Sequence, residues 1–524
     1  MVQLTAYNVA LACFVGLGGV SYGYAFSVFA TSIGQPGFYQ DLNLDPKSAY
    51  TSNIIGTISA LFAFGCAVGA LSQGWISDWI GRKGAIILAA GVTLVGGILI
   101  AGSVNIPMLV VVRLLQGLGV GQLISIVPLY LAEVSPPHRR GALSGLTACS
   151  LTLGYILAGY IGFGAYFAKN LTLQWRLPLA LSCIFPAALL GGVYWLPESP
   201  RYLSWVGKDE QAWRVIQRIH HDPNDPTEAS ARAEYIQINR QIQHDREMKA
   251  GYWHILKRPS WRKRALLAMF VPFASQSTGT LGITNFFILI FIELGMTGYM
   301  PLLMYCVFIV EATAFNYLGT FFLDKIGRRT MLLIGFPGCA ACLLAEALLQ
   351  MKYTGTGNKA GLGACVFFIF LFFAFFGFAI DPVQYVFASE IFPTTIRAKG
   401  IGLALFSYFV GAITYTTPGA LAFRNIGWKY YMVWFAVTIC SSVITYFYIP
   451  ETTGLSLEEI GTLFGDEVVV HMTADGHGLV EMDDFNKGHI PVLWNPHQEE
   501  EEKRGSLVKR EETAFPSEEV TAAP

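Results

Sequence analysis

The chain has 524 residues, of which 53% are hydrophobic and only 14% charged. A soluble domain carries roughly 25% charged residues, so composition excludes a soluble enzyme, a nucleic-acid binder and a disordered scaffold. The net charge of −1 conceals a segregation: residues 451–524 hold 17 of the 36 acids but 5 of the 35 bases, so an acidic tail follows a basic body.

About 20 mostly apolar residues carry a helix across a bilayer core. Twelve stretches qualify, at 9–31, 53–73, 84–104, 107–132, 142–166, 177–196, 265–292, 300–323, 331–350, 361–388, 400–423 and 429–449. The first has no basic leader and is too long for a cleaved signal peptide. A polar segment separates the sixth from the seventh. The expected organisation is a six-helix bundle over 1–196, a cytoplasmic loop over 197–264, a second six-helix bundle over 265–450, and an acidic tail over 451–524. The tail has few apolar residues and no helical period, which predicts that most of it is disordered. The expected class is an all-α membrane protein with twelve transmembrane helices.

Arg82-Lys83, Arg139-Arg140, Arg328-Arg329, Arg397 and Lys399 fall on one side, with both termini and the central loop. The positive-inside rule makes that side the cytosol, and the plasma membrane is the expected location. On the opposite side Asn170-Leu-Thr172 is a glycosylation sequon. The nine cysteines lie in apolar stretches and form no disulfide framework. Cys339-Ala-Ala-Cys342 reads as small packing residues.

The halves repeat each other. Asp78-x-x-Gly81-Arg82-Lys83 follows the second span and Asp324-x-x-Gly327-Arg328-Arg329 the eighth. Glu133-x-x-Pro136-x-x-x-Arg140 follows the fourth, and Glu390-x-x-Pro393-x-x-x-Arg397 the tenth. Pro197-Glu198 closes the sixth, and Pro450-Glu451 the twelfth. Matched signals in one order indicate a duplicated six-helix unit. Acids and bases at a membrane interface are only partly desolvated, so their pairs can break and re-form. A cytoplasmic gate of Asp78, Arg82, Glu133, Arg140, Asp324, Arg328, Glu390 and Arg397 is the expected use, with Gly81 and Gly327 in tight turns.

These stretches resemble the sugar-porter family of the major facilitator superfamily, in its fungal form with a long central loop. The resemblance also rests on Arg113-x3-Gly117-x3-Gly121, Pro128-Leu-Tyr-Leu-Ala-Glu133, Pro197-Glu-Ser-Pro-Arg-Tyr-Leu203 and Pro450-Glu-Thr-Thr-Gly-Leu-Ser-Leu-Glu-Glu459. It implies two bundles around a central cavity, working by alternating access, and adds Arg113 to the gate.

The family's binding-site pattern is less well kept. The fifth-helix glutamine position holds Ala148. The seventh-helix signature reads Ser275-Gln276-Ser-Thr-Gly279-Thr-Leu281, and Ala312 stands at the eighth-helix asparagine. Tyr385 replaces the tenth-helix tryptophan, and Tyr408-Phe409 the eleventh-helix Asn-Trp pair. Carboxamides suit sugar hydroxyls because they both donate and accept. Gln276, Asn285, Gln384, Tyr385 and Tyr408 are therefore the expected substrate contacts, with Thr284 and Asn316 as further candidates. Proton-coupled members carry an aspartate after Gly-Tyr in the first helix, where this chain has Ala25. Asp381, one turn before Tyr385, is the candidate proton or cation site, with pairing to Arg113 as the alternative. Glu311 and Glu346 are weaker candidates.

No P-loop, H-E-x-x-H or G-x-S-x-G motif occurs, so neither enzyme, cofactor nor metal is expected. The expected partners are a small-molecule solute and membrane lipid, with no nucleic acid and one chain as the working unit. The sequence favours a secondary transporter of a sugar or sugar-like solute. It leaves open a non-sugar organic solute, a nutrient sensor, the direction of transport and the coupling.

Overall fold

The computed structural model describes residues 6–46, 48–135, 140–219, 231–232, 234–236, 238–239, 242, 251–393, 396–453, 460, 463–464, 470–472, 479–481 and 492–494; the side chains of 140–146, 148 and 420 lie outside that description. The first crossing is Ala6–Ile33. The second and third, expected as separate helices, form one element, Ala49–Ala101, interrupted only at Gly81 with φ 82° and ψ 171°. Each arm is long enough for a core ~30 Å thick at a rise of about 1.5 Å per residue. The fourth crossing is Ile106–Val134 and the fifth Arg140–Tyr166. The sixth is divided into Leu171–Leu181 and Ile184–Gly192.

In the second half the seventh crossing is Pro259–Ser277 plus Thr280–Glu293. Gly279 breaks it at φ 85°, and the Trp434 ring occupies the space a Cβ would need, 2.2 Å away. The eighth and ninth crossings are Met300–Ile326 and Arg328–Tyr353. The tenth runs Lys359–Phe375, then through a π-helical turn, Phe376–Ile380, into Asp381–Glu390. The eleventh is Arg397–Thr416, followed by Gly419–Ile426, and the twelfth is Lys429–Tyr448. Ser48, Asn105 and Asn358 cap their helices by accepting from backbone N–H groups left free in the first turn.

Sequence explains the close approach of the second and fourth crossings. Gly65 and Gly69 of the second crossing face Leu114 and Leu118 backbone of the fourth, while Gly117 and Gly121 face Phe62 and Cys66 backbone. A Cβ at any of the four would stand 2.2–2.3 Å from a carbonyl oxygen. Without side chains the backbones approach, as small residues allow in membranes. Outward faces carry exposed apolar residues such as Val95, Ile98, Phe321 and Phe447, a surface suited to lipid.

The halves are packed alike: the first crossing lies on the fifth, and the seventh on the eleventh. They meet where the second crossing packs on the eleventh and the fifth on the eighth. Beside the motif-bearing face lie short helices of the central segment, including Asp209–Ile219. Asn8 Nδ2 donates to the Ile219 carbonyl at 3.0 Å, tying this segment to the first crossing. Three strands, Val470–Met472, Leu479–Glu481 and Val492–Trp494, form an antiparallel sheet in the tail.

Gly81 and Gly327 (φ 98°) make the same turn in the two halves, and a Cβ on either would come within 2.5 or 2.6 Å of Glu198 or Glu451. Gly81→Ala and Gly327→Ala are each expected to destabilise by about 1–3 kcal/mol through backbone strain, because positive φ with extended ψ is reached essentially by glycine only. Gly91→Ala, where nothing lies within 4 Å, is the control. Thermal melting of the purified variants measures the difference; equal melting of all three would remove the strain argument.

Candidate functional site

At the motif-bearing face each half contains the same ionic cluster. Arg82 donates through Nε and Nη2 to the two oxygens of Glu133, both at 2.9 Å. Arg328 does likewise to Glu390, at 3.2 and 2.8 Å. Asp78 and Asp324 stand one turn before their arginines, at 3.6 and 2.8 Å. This two-bond fork is the strongest geometry open to an arginine–carboxylate pair.

The spacing analysis missed four members. Glu198 accepts from the Arg82 and Lys83 backbone N–H groups, and Glu451 from those of Arg328 and Arg329. Each carboxylate thus caps the helix that begins after its glycine turn. Burial raises the Glu198 carboxyl, against the pull of N–H groups from Ser199, Lys83 and Arg82. Glu451 is also partly buried, yet Thr453 and the Arg328 N–H bring its carboxyl below the usual range. Ser199 donates to Glu133 and Thr452 to Glu390, completing the parallel. The matched Pro-Glu pairs carried this signal; the hydroxyl next to each glutamate carried the rest.

Among the described residues one link joins the halves here: Lys399 Nζ reaches Asp78 Oδ2 at 2.6 Å. Nearby, Tyr252 Oη donates to the Leu71 carbonyl at 2.8 Å. Arg397, placed in the gate from spacing, is buried and donates to the Phe392 carbonyl at 3.4 Å. The side chain of Arg140 lies outside the described residues. Arg113 does not belong to the gate. It stands twenty residues before Glu133 on the same helix, about 30 Å away at ~1.5 Å per residue. Spacing along one helix sets distance as firmly as it sets face.

Between the halves lies a cavity of about 660 Å³. Its polar walls include Thr152, Thr284, Asn316, Asp381, Tyr385 and Tyr408. Asp381 heads the helical segment that follows the π turn, a departure from α geometry that re-aims side chains and often marks functional sites. Its carboxylate accepts from Asn316 Nδ2 at 2.5 Å and Gln384 Nε2 at 2.6 Å. Among the described residues no cation pairs with it, so pairing with Arg113 does not occur. Tyr385 and Tyr408, with ring centroids 6.4 Å apart, also line a second cavity of about 400 Å³, as does Gln384.

Two expected contacts lie elsewhere. Gln276 is buried against Gly411 and lines none of these cavities, and neither of its amide atoms has a hydrogen-bond partner. Asn285, one turn beyond Leu281, lines a third cavity of about 350 Å³ that also includes Arg113. Leu281 is common to this cavity and the one that Asp381 lines. Ala148 lies outside the described side chains. Glu346 is buried away from these cavities and accepts from Gln350 at 2.7 Å. Asn170 is exposed and caps its helix by accepting from the Thr172 N–H.

The halves touch on both sides of these cavities. Away from the motif face Gly56 abuts the Thr417 carbonyl, and Gly34 abuts Ile288 and Leu302. Toward that same end the Ser27 and Tyr305 hydroxyls meet at 3.0 Å. Small contacts at either end and a hollow between them make a chamber that rocking of the halves opens to one face at a time.

Residues 11–464 match the family model described as "Sugar (and other) transporter". The chain is 34% identical over 468 residues to the MFS-type transporter criB of Aspergillus cristatus, covering 88% of this chain and 95% of that relative. It is 27% identical to the low-affinity glucose transporter HXT3 of Saccharomyces cerevisiae, over 88% of this chain and 83% of that one. Among solved structures, the proton:xylose symporter XylE bound to 6-bromo-6-deoxy-D-glucose superposes with a TM-score of 0.75 at 22% identity, covering 88% of this chain and all of that one. The partially occluded inward-open XylE from E. coli gives 0.71 at 20% identity, over 86% of this chain and all of that one. These likenesses establish the fold: twelve transmembrane helices in two six-helix bundles.

Proposed function

Because this chain belongs to the Sugar (and other) transporter family, we propose that it moves a sugar or sugar-like solute across the plasma membrane by alternating access. The observation that carries this reading is the chamber between two repeat-related halves, with contacts between them at both faces. Its walls combine hydroxyls, an amide and a carboxylate with the rings of Tyr385 and Tyr408. Polyols match such walls, because hydroxyls both donate and accept and an aromatic face covers the sugar's C–H surface.

The bias of bases toward the motif face supports a cytosolic location for that face and for both termini. Within each half the forked clusters hold adjacent helices as a rigid body. Between halves, Lys399–Asp78 is the breakable link: Asp78 is 40% exposed, so its charge is hydrated when the pair separates. Tyr385, Tyr408 and Gln384 contact the solute, and Asp381 is the site where a proton or cation loads.

Uptake of labelled glucose, xylose, polyols and glucuronate into transporter-deficient yeast, with and without a protonophore, tests the reading. Saturable uptake of at least one is expected. Protein at the cell surface that moves none of them overturns it, and uptake insensitive to the protonophore removes Asp381 as a proton carrier.

A further inference from the structure

This chain uses arginine in one repeated way. At Arg82 and at Arg328 the Nε and Nη2 hydrogens, which lie along one edge of the guanidinium, grip both oxygens of a carboxylate. A third arginine leaves the same edge buried and unpaired. Arg113 is 1% exposed, and its guanidinium carbon lies over the Phe29 and Phe62 rings, 4.4 and 4.9 Å from their centroids. Its Nη1 donates to the Ala25 carbonyl at 3.0 Å and to Gln116 Oε1 at 3.2 Å. Its Nε and Nη2 have no partner, and among the described residues no carboxylate pairs with it.

A buried cation without a counter-charge is costly, and two unbonded donors add to that cost. The rings fix the plane of the guanidinium and Nη1 fixes its rotation, so the free edge is held in one orientation. Arg113 lines the cavity of about 350 Å³ together with Ser59, Asn285 and Thr416. Thr416 Oγ1 is also buried without a partner. The site therefore offers a forked pair of N–H donors, hydroxyls and an amide. Its wall at Leu281 is shared with the central cavity, where Tyr385 and Tyr408 stand.

We propose that Arg113, with Ser59, Asn285 and Thr416, forms a subsite for the carboxylate of the transported solute, which makes the substrate an acidic sugar or a similar polyhydroxylated carboxylate. This rests on the transport reading and refines it. The carboxylate takes the Nε and Nη2 hydrogens in the geometry already seen at Glu133 and Glu390, and the hydroxylated body extends past Leu281 toward the tyrosines. No bond is made or broken. Arginine is suited to this because its fork is planar and rigid, whereas a lysine would offer only a point charge.

The test uses the full-length protein in lipid nanodiscs, titrated calorimetrically with D-glucuronate, D-glucose, acetate and chloride, alongside counterflow in proteoliposomes. Glucuronate is expected to bind at least tenfold more tightly than glucose, with acetate and chloride competing poorly. Arg113→Gln is expected to weaken glucuronate binding by about 30-fold, the scale of a charge-assisted hydrogen-bond pair, and so to abolish the preference for glucuronate over glucose. Arg113→Lys should recover only part of the loss. If Arg113→Gln melts far below the parent, Asn285→Ala and Thr416→Val are read instead, each with a selective loss of about fivefold for glucuronate.

Equal binding of glucose and glucuronate by the parent protein overturns the inference. So does an acid preference that survives Arg113→Gln, or competition by acetate or chloride as strong as that of glucuronate. Counterflow of glucose without glucuronate binding retains the transport reading and sinks the subsite. Selective glucuronate binding without counterflow of any solute does the reverse.

Discussion

Arg82→Ala is expected to lower the initial rate of solute flux at least 100-fold at matched abundance. Glu133 is 9% exposed and receives both forked bonds from this one guanidinium. Removing the arginine strands a buried carboxylate, at a cost of about 3 kcal/mol, and loosens the helix packing on which rigid-body movement of that half depends. Ser199 still donates to Glu133, but one hydroxyl does not replace a charge. Arg82→Lys should lose nearly as much, since an ammonium cannot fork. Arg328→Ala should follow the same course with a smaller loss, because Glu390 is 22% exposed and water compensates part of its charge. Counterflow rates in proteoliposomes measure this. An Arg82→Ala protein at parental rate would show that the clusters only anchor helices and take no part in the cycle.

The second large effect is expected at Asp381. Its two oxygens each accept from a carboxamide, Asn316 on the eighth crossing and Gln384 on its own. Asp381→Asn keeps the size but turns one acceptor into a donor facing another donor. Either carboxamide can turn its free oxygen to accept from that donor, so what is lost is the charge on the hydrogen bonds, about 1–2 kcal/mol, and flux should fall about 10-fold. Any dependence of uptake on external pH should vanish with the titratable group. Asp381→Glu retains the charge but needs room for one more methylene in a close-packed wall, and should keep more activity than Asn. Uptake against pH for the three proteins decides the matter: an Asn variant with the parental pH profile rules out Asp381 as the coupling group.

How much of this was legible in the sequence depended on the distance over which each signal acts. The duplicated clusters were visible because each contributing motif spans only a few residues at a helix end and recurs in the same order in both halves. Their caps, Glu198 and Glu451, were visible as matched Pro-Glu pairs, though not their task, since they reach across more than a hundred residues to the Arg82 and Arg328 backbone. Arg113 was misplaced because a shared motif with Gly117 and Gly121 says nothing of depth, whereas counting turns to Glu133 does. The glycines beside it proved to be contact points for the second crossing.

The central cavity was less legible. Tyr385, Tyr408, Thr284 and Asp381 line it as their register suggests, but Gln276 lies off every cavity described, and Asn285 belongs to the Arg113 pocket. The cause is local. Gly279 takes φ 85° and Trp434 packs on the break, so the two parts of the seventh crossing are not one straight helix. A count of residues per turn carried through that break gives the wrong face. The π turn before Asp381 does the same to the tenth crossing, and nothing in Phe376–Ile380 announces it.

Alternating access is the central claim, and Asp78 and Lys399, 2.6 Å apart and joining the halves, give the most direct test. Asp78→Cys/Lys399→Cys, bridged by a hydrophilic, reducible thiol cross-linker, holds the motif face shut, with the parent protein as control for its native cysteines. Solute flux in proteoliposomes should stop on cross-linking and return on reduction. Undiminished flux through fully cross-linked protein would contradict the account, because solute would then cross without the halves parting at that face.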